Sequence, residues 1–346
     1  LMIIRSIPAE TPEGADSETG VTVVSYTDGT PANAITPTIA RTPAAESEGA
    51  TAGPPPTATF TPTPSPPVST VYDNQIANNP DDIDPYLLRG REYLSLGLYK
   101  LALEDFLKAK SLDKERADVY VGIGWAQYYL ARWDDAEASF GTAVAFNQDL
   151  SDAHFGLGKL FYYQGRYEES AAEFDWAAEI DRQDAEAEAW LAIAAARQGD
   201  PTEAMGAATR ALSITDEMPL AYVARSWAYR TQDPPDLERV HGDLIYARNL
   251  APNDFHTLNA LAHFYLTLRP ERLVEAEQLA SYARNWAQTP IQEAVALQTL
   301  GRIYLDQDRV DEAREALNAS ADLVTSGGEI VLVDLVDDLE RARRDS

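Results

Sequence analysis

From about Asn78 onward, apolar residues recur at the three- and four-residue spacing of amphipathic helices, in stretches of about 12 to 15 residues separated by turn residues. Residues 1 to about 75 show no such periodicity and are rich in Thr, Pro, Ala, Ser and Gly. The pattern therefore predicts an all-α body carried behind an extended N-terminal arm. Two β-branched stretches in the arm, Met2–Ile7 and Val21–Tyr26, are candidate strands with no partner in the sequence. Half of the residues in Pro54–Pro67 are prolines, each of which fixes φ and removes an amide donor, so extended polyproline II is favoured there.

The helical body repeats itself. Gly90, Gly124 and Gly158 lie 34 residues apart, and so do Ala102, Ala136 and Ser170; Phe106, Phe140 and Phe174; and Ala109, Ala143, Ala177 and Ala211. Small residues at a fixed period allow helices to cross closely, while the bulky residues fill the space between successive helix pairs.

A 34-residue period with these residues resembles the tetratricopeptide repeat. In the first unit the match runs through Tyr86, Gly90, Tyr93, Gly97, Tyr99, Ala102, Phe106 and Ala109, with Arg89 where an aliphatic residue is usual. The second carries Tyr120, Ile123, Gly124, Trp133, Ala136 and Phe140, and the third Leu157, Gly158, Phe161, Gly165, Tyr167 and Phe174. Later units drift, with longer turns at Asp233–Asp236 and around Arg269–Pro270, and the seventh returns to form with Leu300, Gly301, Tyr304, Ala313 and Leu317. The resemblance covers about 250 of the 346 residues. It implies a right-handed α-solenoid of about seven helix-turn-helix repeats over residues 78–324. An arm precedes it (1–53), followed by a Thr/Pro-rich linker (54–77), and a C-terminal capping helix closes it (325–346, read from Glu329).

The family also implies where a partner would lie, because its first helices face a concave groove. Carried over unit by unit, the groove positions are Leu87, Arg91 and Leu94; Val121, Trp125, Tyr128 and Tyr129; Phe155, Lys159, Tyr162 and Tyr163; then Ile193, Arg197, Val223, Trp227 and Arg230; and finally Asn259, His263 and Arg302. The groove is thus expected to be aromatic in its N-terminal half. Such a lining suits proline-rich extended segments, which lose little entropy on docking.

Charge and composition narrow the function. Acidic residues outnumber basic ones 56 to 28, a net charge of −28 that repels nucleic acid and anionic lipid. No cysteine is present, so disulfides and thiolate sites are excluded. Leu1–Ile4 is far too short an apolar run to cross a bilayer. No phosphate loop, nucleophile elbow or metal-spaced His set occurs, and His256 and His263 share a face without a carboxylate between them. Acidic pairs such as Asp134–Asp135 and Glu168–Glu169 suit the starts of second helices, where unpaired amides favour negative charge.

The expectation is a non-enzymatic interaction protein without cofactor or metal. Two readings of the partner stay open: the arm of one copy docking on the array of another, which propagates into a filament unless rotation closes a ring, or a foreign extended segment. A lesser alternative has the aromatic rings stacking on sugars. Leu at position 1 points to a processed or truncated chain, and Thr57, Thr59, Thr61, Thr63 and Ser65 would suit O-glycosylation at an extracellular or cell-surface location.

Overall fold

The computed structural model describes residues 70–326, 329–330 and 332–344. All of them belong to one of the chain's two units, residues 63–346. The candidate strands of the arm and the five candidate glycosylation positions lie outside the described residues.

Seven helix pairs follow one another: α2 (Ile83–Ser95) with α3 (Tyr99–Leu112), α4 (Ala117–Tyr129) with α5 (Trp133–Phe146), α6 (Ser151–Tyr163) with α7 (Tyr167–Ile180), and α8 (Ala185–Gln198) with α9 (Pro201–Ile214). Then come α10 (Pro219–Arg230) with α11 (Leu237–Leu250), α12 (Phe255–Leu268) with α13 (Leu273–Asn285), and α14 (Pro290–Asp306) with α15 (Val310–Val324). Each helix packs on its pair mate and on the next pair, as a solenoid requires. Two elements differ from the sequence reading. A helix α1 (Thr70–Asn78) occupies the end of the stretch assigned to the linker, and Asp73 in it pairs with Arg89. The capping helix α16 is shorter than expected, Leu335–Arg344, because Thr325–Ser326 and Glu329–Ile330 pair as an antiparallel hairpin and Asp334 turns the chain at φ +64.

The 34-residue period has a visible cause. Phe106, Phe140 and Phe174 are fully buried, and the first two rings are clasped between glycines of successive first helices. A Cβ on Gly124 would come within 2.6 Å of the Phe140 ring, and one on Gly156 within 2.4 Å of it. Gly90 and Gly122 clasp Phe106 in the same way, each Cβ position lying 2.6 Å from the ring. Only residues without side chains let the two helices approach the ring this closely.

Turns and caps are repeated too. Gly97, Gly165 and Gly199 take left-handed φ of +71°, +78° and +91° between the helices of their pairs, and Ala131 takes +55° at the equivalent turn of the second pair. Asp184, Asp200, Asp236 and Asp254 accept hydrogen bonds from first-turn amides at the starts of α8, α9, α11 and α12. Arg89, out of place in the repeat pattern, is paired: its guanidinium grips Asp105 at 2.6 and 2.7 Å. Four repeats later Arg225 grips Asp243 at 2.7 and 2.8 Å in the same way.

Candidate binding surface

The first helices of the third to seventh pairs bring side chains together inside the array. Tyr162 and Tyr163 from α6, Trp190, Ile193 and Arg197 from α8, Val223 and Trp227 from α10, Phe255, His256, Asn259 and His263 from α12, and Gln298 and Arg302 from α14 line one cavity of about 120 Å³. Tyr167, at the start of α7, and the segment Leu332-Val333-Asp334 complete the wall.

The sequence-derived groove residues divide into three groups. Tyr162, Tyr163 and Trp227 line this cavity, together with Ile193, Arg197, Val223, Asn259, His263 and Arg302. Phe155, Lys159 and Arg230 stand beside it: Phe155 packs edge-on against Phe174, the Lys159 ammonium lies 4.0 Å from the Trp190 ring centre, and the Arg230 guanidinium lies 4.3 Å from that of Trp227. The N-terminal set is elsewhere. Leu87 and Val121 are buried between helices, Leu94 packs on the core formed by Tyr86, Phe106 and Ile123, and Arg91 is exposed, 3.8 Å from Asp118.

The aromatic residues of α4 spend their surface on one another. Trp125 packs against Tyr128, Tyr129, Phe140 and Phe155, and Tyr129 stacks on Tyr99 at 4.7 Å. Tyr128 is buried, and its hydroxyl has no hydrogen-bond partner. These rings rigidify the array, as large aromatic contacts do.

Two interior residues, Trp190 and Asp334, escaped the sequence reading, whereas His256 and Tyr167, both named in it, join them on the wall. Trp190 occupies the position of Gly156 and Gly122 one and two repeats earlier, and it stacks on Phe174 where those glycines meet a phenylalanine ring. That break in the glycine series was the available signal. Its indole Nε1 is buried without a hydrogen-bond partner. His256 meets Trp190 edge-on at 5.4 Å, Tyr167 accepts from Arg197, and Asp334 faces Arg302 at 3.3 Å and Arg197 at 3.8 Å. Sequence periodicity carries no information on Asp334, which reaches these partners from far along the chain.

In a chain of net charge −28, the interior is cationic. Lys159, Arg197, Arg230 and Arg302 gather there; Arg197 and Arg302 face Asp334, and the buried Asp338 accepts from Arg302 at 2.7 Å and Gln298 at 2.9 Å. Burial pushes Lys159 down to about 8, and burial with the neighbouring Arg197 pushes Arg230 down to about 10. His256 is pushed down to about 4 by burial and by Lys159, and His263 falls well below the usual imidazole range through burial and the guanidinium of Arg230. Burial raises Asp338. In each of these groups burial disfavours the charged form, whereas Arg197 moves the other way, raised against burial by the neighbouring Tyr162 and Tyr167. His256 and His263 serve this wall as neutral rings, and no group of His and carboxylate side chains among the described residues converges as a metal would require. No described helix is long and apolar enough to cross a membrane.

Comparison with known proteins agrees with this architecture. Two tetratricopeptide repeat profiles match, one over residues 121–185 and 155–219, the other over 83–116 and 294–323. No curated protein matches the sequence. Among solved structures, a tetratricopeptide repeat protein from Parabacteroides merdae superposes with a TM-score of 0.54 at 11% identity, over 75% of this chain and 98% of that one. Yeast Tom70 superposes at 0.50 with 20% identity over 80% of this chain, which spans 58% of Tom70. Cut9–Hcn1 of the APC/C hetero-tetramer gives 0.51 at 16% identity over 79% of this chain, against 51% of that one. At these identities the likeness is one of fold.

Proposed function

Because the chain belongs to the tetratricopeptide repeat family, an architecture of protein interaction scaffolds and adaptors, we propose that its interior receives an extended, acidic segment of a protein partner and catalyses nothing. One observation carries the reading: aromatic and cationic side chains from five successive first helices converge on one cavity in a protein whose overall charge is strongly negative. Cations backed by aromatic faces attract carboxylates, and the rings pack the apolar parts of the same segment. The buried Trp190 Nε1 offers a donor on that wall. A double variant, Arg197→Glu with Arg230→Glu, should lose partner binding while its circular dichroism stays helical. Full binding by that variant would move the contact to another face.

A second reading makes the partner a neighbouring copy. The stretch 1–69 carries seven acidic residues against two basic ones, together with the proline-rich Pro54–Pro67, so it matches the interior in charge and in affinity for aromatic rings. Head-to-tail docking of this kind builds rings or filaments. Electron microscopy of the chain with and without residues 1–69 separates the readings: assemblies lost on deletion favour the arm, and monomers in both samples favour a foreign segment. An extracellular setting is proposed from the Thr/Pro composition of the arm alone.

A further inference from the structure

The segment Leu332-Val333-Asp334 is held as the interior would hold a foreign peptide. Both backbone groups of Val333 are engaged: its N–H donates to the Tyr163 carbonyl at 2.9 Å, and its carbonyl accepts from Gln298 Nε2 at 3.0 Å. Its side chain fits because residue 165 is glycine; a Cβ there would come within 2.6 Å of Val333 Cγ2. Leu332 is buried in the cluster that contains Tyr163. Asp334, turned by its left-handed backbone, presents its carboxylate to Arg302 and Arg197.

Two features separate this contact from ordinary capping. The cap proper is α16, whose Leu335, Leu339 and Ala342 pack with residues of α14 and α15 such as Ala294, Leu305 and Leu317. Leu332–Asp334 instead bridges from the seventh pair to α6 and α8 in the third and fourth, across the interior. Asp334 is also the half-exposed member of its pairs, 44% accessible against 23% for Arg302 and 24% for Arg197, so the two guanidiniums form a built site and the carboxylate a removable guest.

We propose that Leu332–Asp334 is a tethered stand-in for the partner: the segment the interior receives carries two branched aliphatic residues followed by an acidic one, and it displaces the chain's own copy on binding. This rests on the interior being the binding surface, and it adds the sequence class of the partner together with a built-in competitor. Residues 1–69 contain no two branched aliphatic residues followed by an acid, so the inference favours a foreign segment over the arm.

The test uses the full chain and a fluorescein-labelled peptide of residues 330–336, followed by fluorescence anisotropy. Wild-type protein should bind it weakly, because the tethered copy competes at high effective concentration. Val333→Pro, which removes the N–H donated to Tyr163, should bind at least tenfold more tightly. Replacing the peptide's aspartate by alanine, or Arg197→Gln in the protein, should weaken that binding about tenfold, the worth of a charge-assisted hydrogen bond. If Val333→Pro loses helicity by circular dichroism, Asp334→Ala, which removes only a half-exposed carboxylate, replaces it. A variant with wild-type helicity that binds the peptide no better than wild type, or binds the alanine peptide equally well, overturns the stand-in. In that event an acidic peptide without the aliphatic pair, residues 45–58, that still binds and is lost on Arg230→Glu leaves the interior reading standing. Failure of both peptides removes both.

Discussion

Gly156→Ala adds one methyl group to α6 and should destabilise the array, although alanine is the better helix former. The added Cβ would sit 2.4, 2.5 and 2.8 Å from three atoms of the Phe140 ring. The ring cannot retreat, since it is fully buried and its other side lies 2.6 Å from the Cβ position of Gly124. Overpacking of this kind costs about 1–3 kcal/mol, against a helix-propensity gain of about 0.5–1 kcal/mol. The net loss is therefore up to about 2.5 kcal/mol, with a central value of about 1 kcal/mol. It falls on the contact between the second and third pairs, so it weakens coupling along the array as well as one helix. The control is Gly141→Ala in α5, where an added Cβ meets nothing within 4 Å and the propensity gain of about 0.5–1 kcal/mol should appear undiminished. Urea unfolding followed by far-ultraviolet circular dichroism measures both. Phe140→Leu should cost less in the Gly156→Ala background than in wild type, because the smaller side chain relieves the clash. Equal stabilisation by the two glycine substitutions would refute the clasped-ring account of the 34-residue period.

Further outcomes follow from single contacts. Ala131→Gly should raise the melting temperature, with a gain of up to about 1 kcal/mol, because alanine at φ +55° carries left-handed strain that the glycines of the equivalent turns avoid. Asp105→Ala should cost about 2–3 kcal/mol in urea titration, since it strips a partly buried guanidinium of its bidentate partner, whereas replacing Arg89 and Asp105 together by apolar residues should cost less. His154 is held above the usual imidazole range by its 2.7 Å contact with Glu173. Its contribution is therefore full below about pH 6.5 and lost as pH rises through the raised value, so His154→Gln should cost more at pH 6 than at pH 9. His256 and His263 act oppositely: their stabilisation is present above about pH 6.5 and is lost on acidification towards the lowered value, about 4 for His256. A His256→Gln, His263→Gln variant should lose less stability than wild type when the pH falls from 7 to 5.

Most of the fold was readable because each repeat is a local structure whose packing residues recur at one interval. Gly124, Phe140 and Gly156 meet through neighbouring helices, so the sequence pattern and the contact are nearly the same statement. The pairing of Arg89 with Asp105 was legible in principle too, since Arg225 and Asp243 repeat it four units later. Helix α1 was masked by the Thr/Pro composition just before it, and it owes its place in part to the Asp73–Arg89 contact rather than to a strong apolar stripe. The interior was readable only in part. Ring positions on α4 point to the groove in the family pattern, yet here Trp125, Tyr128 and Tyr129 are absorbed by contacts with Tyr99, Phe140 and Phe155. The meeting of Trp190, His256, Arg302 and Asp334 depends on small rotations accumulated over five repeats, and no residue spacing encodes that sum.

The most direct measurement is selection of a random-peptide phage library on the full chain, with counter-selection on the Arg197→Glu, Arg230→Glu variant. Enrichment of extended acidic sequences that the variant fails to hold is the predicted result. Peptides that bind both proteins equally, or enrichment of basic sequences drawn to the acidic exterior, would contradict an interior binding surface.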